Sequence, residues 1–173
     1  MHGPAREPPW LLGLLPARCV LCGLAADGER DLCRVCALDL PETGPACPRC
    51  GEPVSAAATA WPCGRCQRRP PPWEALAARC RWAPPADRLV HALKFDRRTE
   101  CARIMADLMA ARPPPFLAAG THLVPVPLHW RRRWQRGFDQ TELIAAQLAR
   151  RTGLPCTREG LRRRRATAPQ SGL

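Results

Sequence analysis

The sequence predicts a small zinc-binding cysteine module followed by an α/β domain with a parallel sheet. Two observations carry this. Eight of the eleven cysteines fall into four CxxC pairs between residues 19 and 66, and beyond residue 74 apolar runs of strand length alternate with amphipathic helical patterns. The 173 residues suffice for one ordinary domain plus a small one.

Residues 1–18 form a lead-in. Trp10–Leu15 (WLLGLL) is apolar and predicts a short helix packing on the module that follows. It is too short for a signal-peptide core, and no small-x-small cleavage pattern comes after it. Bulky Arg18 before Cys19 argues against a lipoprotein site. No apolar run approaches the roughly 18 residues that a membrane span needs. The expected location is the cytoplasm, where clustered cysteines bind metal more readily than they form disulfides.

The pairs are Cys19/Cys22, Cys33/Cys36, Cys47/Cys50 and Cys63/Cys66, with ten, ten and twelve residues between successive pairs. A CxxC turn aims two thiolates at one point, and two such turns complete a tetrahedral site with Zn–S bonds of about 2.3 Å. In CPRCG (Cys47–Gly51), proline fixes the turn and glycine lets the backbone curl back toward the metal. A thioredoxin-like redox CxxC would need a surrounding βαβ pattern, which is missing; an iron–sulfur cluster is the other reading of such a thiolate set. Sequential pairing, Cys19/Cys22/Cys33/Cys36 and Cys47/Cys50/Cys63/Cys66, closes shorter loops at lower entropy cost than a crossed pairing. Both remain open to the sequence. Cys80, Cys101 and Cys156 are isolated and read as small buried hydrophobes.

Residues 67–73 (QRRPPPW) read as a stiff linker. In the α/β part, Ala75–Ala83 reads as a strand, Asp87–Phe95 and Glu100–Ala111 as helices, and Thr121–Pro127 as a short buried strand. Thr141–Arg151 reads as a helix ended by Gly153 and Pro155, and Cys156–Leu161 as a further strand. This order implies a parallel sheet.

Between strand Leu123–Val126 and helix Thr141–Arg151 lies PLHWRRRWQRGFDQTE, read as an Arg-rich loop. Asp139 is a good N-cap, with Glu142 placed to complete a capping box. Arg131, Arg132, Arg133 and Arg136 crowd the approach, and Gly137 permits a sharp turn. A basic loop and a helix N-terminus beyond the C-terminal end of a parallel strand suit a phosphate. The candidate anion-binding residues are Arg132, Arg133, Arg136, Gly137, Asp139 and Gln140. Trp130 and Trp134, with Arg131, are candidate nucleic-acid contacts, since bases stack on indoles while guanidinium groups follow the backbone. Core packing accounts for the tryptophans equally well. No base or nucleophile stands out, so no catalytic residue is assigned. His2, His91, His122 and His129 show no ligand spacing; Lys94 suits phosphate contact or simply offsets the helix dipole, and Arg162–Arg165 suits nucleic-acid contact or a solvated strand edge.

The composition agrees with an anionic partner. Lys+Arg is 27 against 15 Asp+Glu, a formal net charge of +12. Lys94 is the sole lysine, so the excess is arginine, which a GC-rich genome also favours.

At this point the residues resemble the ComF family of competence-associated, phosphoribosyltransferase-like proteins. The resemblance rests on WLLGLLPARCVLC with the cysteine pairs, on HALKFDRR (His91–Arg98), on LVPVPLHWRRRWQRGFDQTELIA (Leu123–Ala145) and on LRRRRATAPQSGL (Leu161–Leu173). It covers nearly the whole chain. It implies a double zinc ribbon over residues 19–66, with two Zn2+, and an incomplete phosphoribosyltransferase-like α/β domain over 74–173. It also implies a role in DNA uptake and transformation, with single-stranded DNA, phosphoribosyl pyrophosphate and other competence proteins as partners. In such transferases an acidic pair and a Thr–Thr–Gly loop hold the ribose and its 5-phosphate, and neither motif occurs here. The expectation is therefore a C-terminally truncated chain with half a site. The Arg132–Gln140 stretch would lie on the pyrophosphate side. Mg2+ with phosphoribosyl pyrophosphate, and phosphoribosyl transfer itself, would belong to an intact protein only.

Overall fold

The computed structural model describes residues 17–26, 31–117 and 120–167. The expected helix Trp10–Leu15 and the Ala168–Leu173 end of the last family-like stretch lie outside them. Among the described residues the α-helices are α1 (Arg34–Leu38), α2 (Gly64–Arg68), α3 (Ala86–Lys94), α4 (Glu100–Ala111), α5 (Trp130–Arg136) and α6 (Gln140–Thr152), with a 3₁₀ turn at Ala56–Ala58.

The core is built on α4. Its buried face carries Cys101, Ala102, Ile104 and Ala106, mostly small side chains that let neighbouring helices come close. α6 packs along it and α3 packs across it. From α3, Leu89 and Leu93 stand four residues apart on one face and are almost fully buried. Each contributes roughly 1.5–3 kcal/mol by leaving water. Leu143, Ile144 and Phe138 close the cluster from the α6 side. Arg151 reaches Asp107 at 2.5 Å and ties the end of α6 to α4.

The same core continues into the cysteine module. Cys19, Leu32, Cys33 and Leu40 are buried in one cluster with Leu89, Leu93 and Ile104. Arg98 donates to the Val20 carbonyl at 3.3 Å, and Arg103 pairs with Asp31. The stretch after the prolines also turns back onto the module. Trp73 Nε1 donates to the Arg49 carbonyl (2.8 Å), Leu76 N to that of Pro48 (3.1 Å) and Arg81 N to that of Pro41 (2.9 Å).

The expected strands shrink to isolated pairings. Ala75–Ala83 forms one antiparallel bridge, Cys80 with Glu42. Its partner segment contains Pro41, Pro45 and Pro48, which have no N–H for a ladder. Leu123 pairs in parallel with Cys156, through Leu123 N to Pro155 O (2.8 Å) and Thr157 N to Leu123 O (2.9 Å). Pro125 and Pro127 stop that pairing on one side, and a turn at Arg158–Glu159 stops the Cys156–Leu161 segment on the other. The parallel sheet read from the sequence is thus represented, among the described residues, by a single parallel bridge.

The Arg-rich stretch is a helix rather than a loop. His129, itself buried, caps α5 by accepting from Arg131 N at 3.4 Å. Arginine and glutamine suit a helix interior. Gly137, at φ 86°, ends α5 by donating its N–H to the Arg133 carbonyl.

Asp139 joins the two halves of this region. Only 3% exposed, it accepts from Leu128 N (2.6 Å), Thr141 N (3.0 Å) and Thr141 Oγ1 (2.7 Å). It caps α6 as expected, but the reciprocal half of the capping box is replaced: Glu142 accepts from Arg133 at 2.9 Å instead. Asp139→Ala leaves two backbone donors unsatisfied, one of them at the entry to α5. The expected loss is roughly 2–4 kcal/mol, read as a lower urea midpoint at unchanged slope. A loss below about 0.5 kcal/mol, the range of ordinary surface substitutions, would remove Asp139 from this role.

Candidate metal centres and basic helix

Two clusters of four cysteine sulfurs form, Cys19/Cys22/Cys33/Cys36 and Cys47/Cys50/Cys63/Cys66, with all four sulfurs in each within 4.8 Å of one another. The pairing is sequential. Each centre has the same two parts. The first is a hairpin knuckle: Cys19 N donates to Leu24 O (2.7 Å) and Gly23 N to Cys19 O (2.8 Å). In the second centre Cys47 N donates to Glu52 O (2.8 Å) and Gly51 N to Cys47 O (2.9 Å). Gly23 and Gly51 sit at φ 76° and 75°, a left-handed conformation that glycine adopts without cost. The second part is a cysteine at the N-cap of a five-residue helix, Cys33 before α1 and Cys63 before α2. The closing sulfur–sulfur distance is 3.8 Å in both, Cys22 to Cys33 and Cys50 to Cys63. A tetrahedron with Zn–S bonds of about 2.3 Å has edges of about 3.8 Å, so the donor set fits zinc.

The electrostatics repeat as well. Burial raises the Cys19 thiol, but the backbone N–H groups of Cys33, Cys22 and Leu21 together bring it down to about 6. In the second centre the Cys63 N–H, donating at 3.2 Å, leads in bringing Cys47 down to about 6. The last cysteine of each set behaves oppositely. Burial and the neighbouring thiolates push Cys36 well up, and Cys66 up to about 12. Four thiolates cannot all ionise in one place unless a cation offsets them. Metal binding must therefore expel protons from Cys36 and Cys66, and folding of each unit is linked to the metal. Arg65 stands by Cys50, whose sulfur raises the Arg65 guanidinium, a neighbour that the cysteine spacing alone did not reveal.

The other sequence-predicted residues gather around α5. Trp130 and Trp134 are four positions apart and 65% and 84% exposed. The Arg131 guanidinium lies 5.2 Å from the Trp130 ring centre. Arg132 donates to the Thr167 carbonyl (2.6 Å), Arg133 to Glu142, and Arg136 to Gln140. Behind them, Lys94 at the end of α3 faces Arg136: burial and that neighbour lower the Lys94 ammonium. Arg136 is itself lowered by burial and by Arg132, against the pull of Asp139. Arg136 thus has two cationic neighbours, Lys94 and Arg132, and its guanidinium lies 5.9 Å from the Phe95 ring centre. Asp139 is a buried acceptor already filled by N–H and O–H donors, so in this arrangement it supports the region and does not face an anion. Gln140 accepts from Arg136 and acts likewise. Lys94 was the understated residue; its place at a helix end in HALKF was the only signal.

The two centres differ in support. Cys19 and Cys33 belong to the helical core, whereas the second centre leans on residues 73–76. The metal-loaded protein should hold two zinc ions per chain. Cys47→Ser should lower this to one and leave melting of the α3–α4–α6 core nearly in place. Cys19→Ser should lower both zinc content and core stability. Zinc analysis beside near-ultraviolet circular dichroism distinguishes these, and equal destabilisation by both variants would contradict the unequal support. Because bound cysteines must be deprotonated, apparent zinc affinity should rise from about pH 6 to about pH 8 in chelator competition.

Comparison with known proteins agrees with the cysteine geometry. Residues 10–80 match the double zinc ribbon domain family. The DNA utilization protein YhgH of Salmonella typhimurium is 39% identical over 165 residues, covering 92% of this chain and 72% of that protein. YhgH of Escherichia coli K12 is 38% identical over the same span. Competence protein F of Haemophilus influenzae is 28% identical over 162 residues, covering 90% of this chain and 69% of that protein. No solved structure matches the chain. Among the described residues no helix is long and apolar enough to cross a membrane. With the paired cysteine centres, the RGFDQ helix junction and relatives matched along nearly its whole length, the chain belongs to the ComF family.

Proposed function

We propose that this protein handles single-stranded DNA in the cytoplasm, in a process of DNA uptake or use, and holds the strand on α5. The carrying observation is the exposure of Trp130 and Trp134, 65% and 84%, on a helix whose other residues are four arginines and a glutamine. Indoles that a fold leaves in water, one helical turn apart, offer two stacking platforms. Arg131 and Arg133 supply the charge that follows phosphates. The names of the relatives, DNA utilization protein and competence protein, point the same way.

A second reading concerns the cluster behind α5. Arg136 is repelled by both Lys94 and Arg132, a cost that a bound compact anion would offset. Phosphoribosyl pyrophosphate with Mg2+ is the anion that the phosphoribosyltransferase-like reading supplies, and phosphoribosyl transfer is the enzymatic alternative. In that reading residues 74–173 begin an α/β domain, with the Leu123–Cys156 pairing as the start of its parallel sheet. The two readings place ligands on opposite sides of α5 and are compatible.

Trp134→Ala should weaken binding of an oligothymidylate by about 1–3 kcal/mol with no change in fold. Arg131→Ala should instead make the dependence of affinity on salt shallower, by about 0.7 in log–log slope for one lost phosphate contact. Fluorescence anisotropy across a salt series measures both. Unchanged affinity in Trp134→Ala would end the α5 reading. Arg136→Ala should abolish any Mg2+-dependent binding of phosphoribosyl pyrophosphate while leaving the DNA salt slope in place.

A further inference from the structure

The two metal units follow one plan, and their differences are chemical. In the first, Val20 N donates to Asp31 O at 2.8 Å, and Leu32 and Leu40 are buried against the helices. The matching positions in the second unit, counted from Cys47 and Cys63, are Pro48, Trp61, Pro62 and Pro70. Pro48 has no N–H to make the corresponding bond, and Trp61 is 72% exposed. On the short helices, Val35, Leu38 and Asp39 of the first unit correspond to Arg65, Arg68 and Arg69 of the second. These exposed positions carry two apolar residues and an acid in one copy and three arginines in the other.

Charge decides which of these arginines are available. A zinc ion with four thiolates carries a net double negative charge, so nearby cations first offset it. Arg65 does this from beside Cys50, and it also meets Glu52 at 3.6 Å. Arg68 and Arg69 are exposed and make no ion pair among the described residues. A second indole belongs to the same unit: Trp73, 47% exposed, is held to its knuckle by a hydrogen bond to the Arg49 carbonyl.

We propose that Trp61, Trp73, Arg68 and Arg69 form a second contact for a nucleic-acid single strand, on the second metal unit and separate from α5. This rests on the strand-binding reading given above. Exposed indoles beside unpaired guanidinium groups match alternating bases and phosphates. An acidic polypeptide would use the charge but has no need of two indoles in water.

The test uses the full, zinc-loaded chain and an oligothymidylate of about 30 nucleotides, longer than the 4–16 that one such surface occupies. Trp61→Ala should weaken binding about tenfold, and Trp61→Phe, which keeps an aromatic face, should recover most of it. The double variant Arg68→Ala/Arg69→Ala should flatten the log–log salt slope by about 1.4. Zinc content should stay at two per chain throughout; a variant that loses zinc is replaced by the Phe or by Arg68→Gln/Arg69→Gln. Unchanged affinity and slope with both metals retained would overturn the proposal. So would a polyglutamate whose binding depends on these residues while the oligonucleotide's does not. Loss in Trp61→Ala with none in Trp134→Ala would keep this surface and refute the α5 one; the reverse result would refute this surface alone.

Discussion

Four thiolates brought within 4.8 Å of each other are stable only around a cation, and the N-terminal half of this protein depends on that constraint. Neither unit has a core of its own. α1 and α2 have five residues each, far below the length at which an isolated helix holds in water. What orders them is a cysteine at each N-cap, fixed by a metal that also fixes a hairpin knuckle. The acidity pattern records the same dependence. Cys19 and Cys47 are poised to ionise and Cys36 and Cys66 resist it, so each site is completed only as metal displaces protons.

The first unit passes this constraint on to the helices. Cys19 and Cys33 are metal ligands and also members of the cluster that contains Leu89, Leu93 and Ile104. The packing surface of α3 and α4 therefore includes a metal centre, and the Asp31–Arg103 pair and the Arg98–Val20 bond follow the same seam. The helices in turn set the position of α6 and, through Asp139, the entry to α5. Metal, core and basic helix thus form one chain of contacts.

Different parts of this were legible in the sequence to different degrees. The cysteine centres were plain, because ligand spacing is a local property and shorter loops close at lower cost; the sequential pairing follows from that. α3, α4 and α6 were plain because their apolar periodicity is strong over nine residues or more. The Arg-rich stretch was misread as a loop. Arginine has a high helix propensity, but a run of charge without an apolar stripe gives no periodic signal, and the cap came from His129, not a usual capping residue. The strands were legible only as far as single pairings. Ala75–Ala83 and Thr121–Pro127 each form one bridge among the described residues, and the prolines that limit these pairings lie partly in the partner segment, which local reading does not consult. Asp139 was found as a cap and also taken as an anion ligand; only its burial and the donors that fill it separate the two roles.

The exposure of the aromatic residues completes the physical argument. Tryptophan left in water forfeits the burial of a large apolar area, so a stable fold gains nothing from Trp61, Trp130 and Trp134 where they stand. Trp130 and Trp134 stand among the arginines of α5 and Trp61 just before α2, and each of those helices is positioned by something rigid: α2 by its cysteine cluster, α5 by Gly137 and the Asp139 latch. A rigid support reduces the ordering cost when a flexible polymer docks. An extended, flexible polyanion with stackable faces fits this layout better than a compact folded partner, which would require one continuous surface. The separation of the two aromatic–arginine surfaces then has a consequence. A strand that reaches both gains affinity from the tether between them, with no new contact at either.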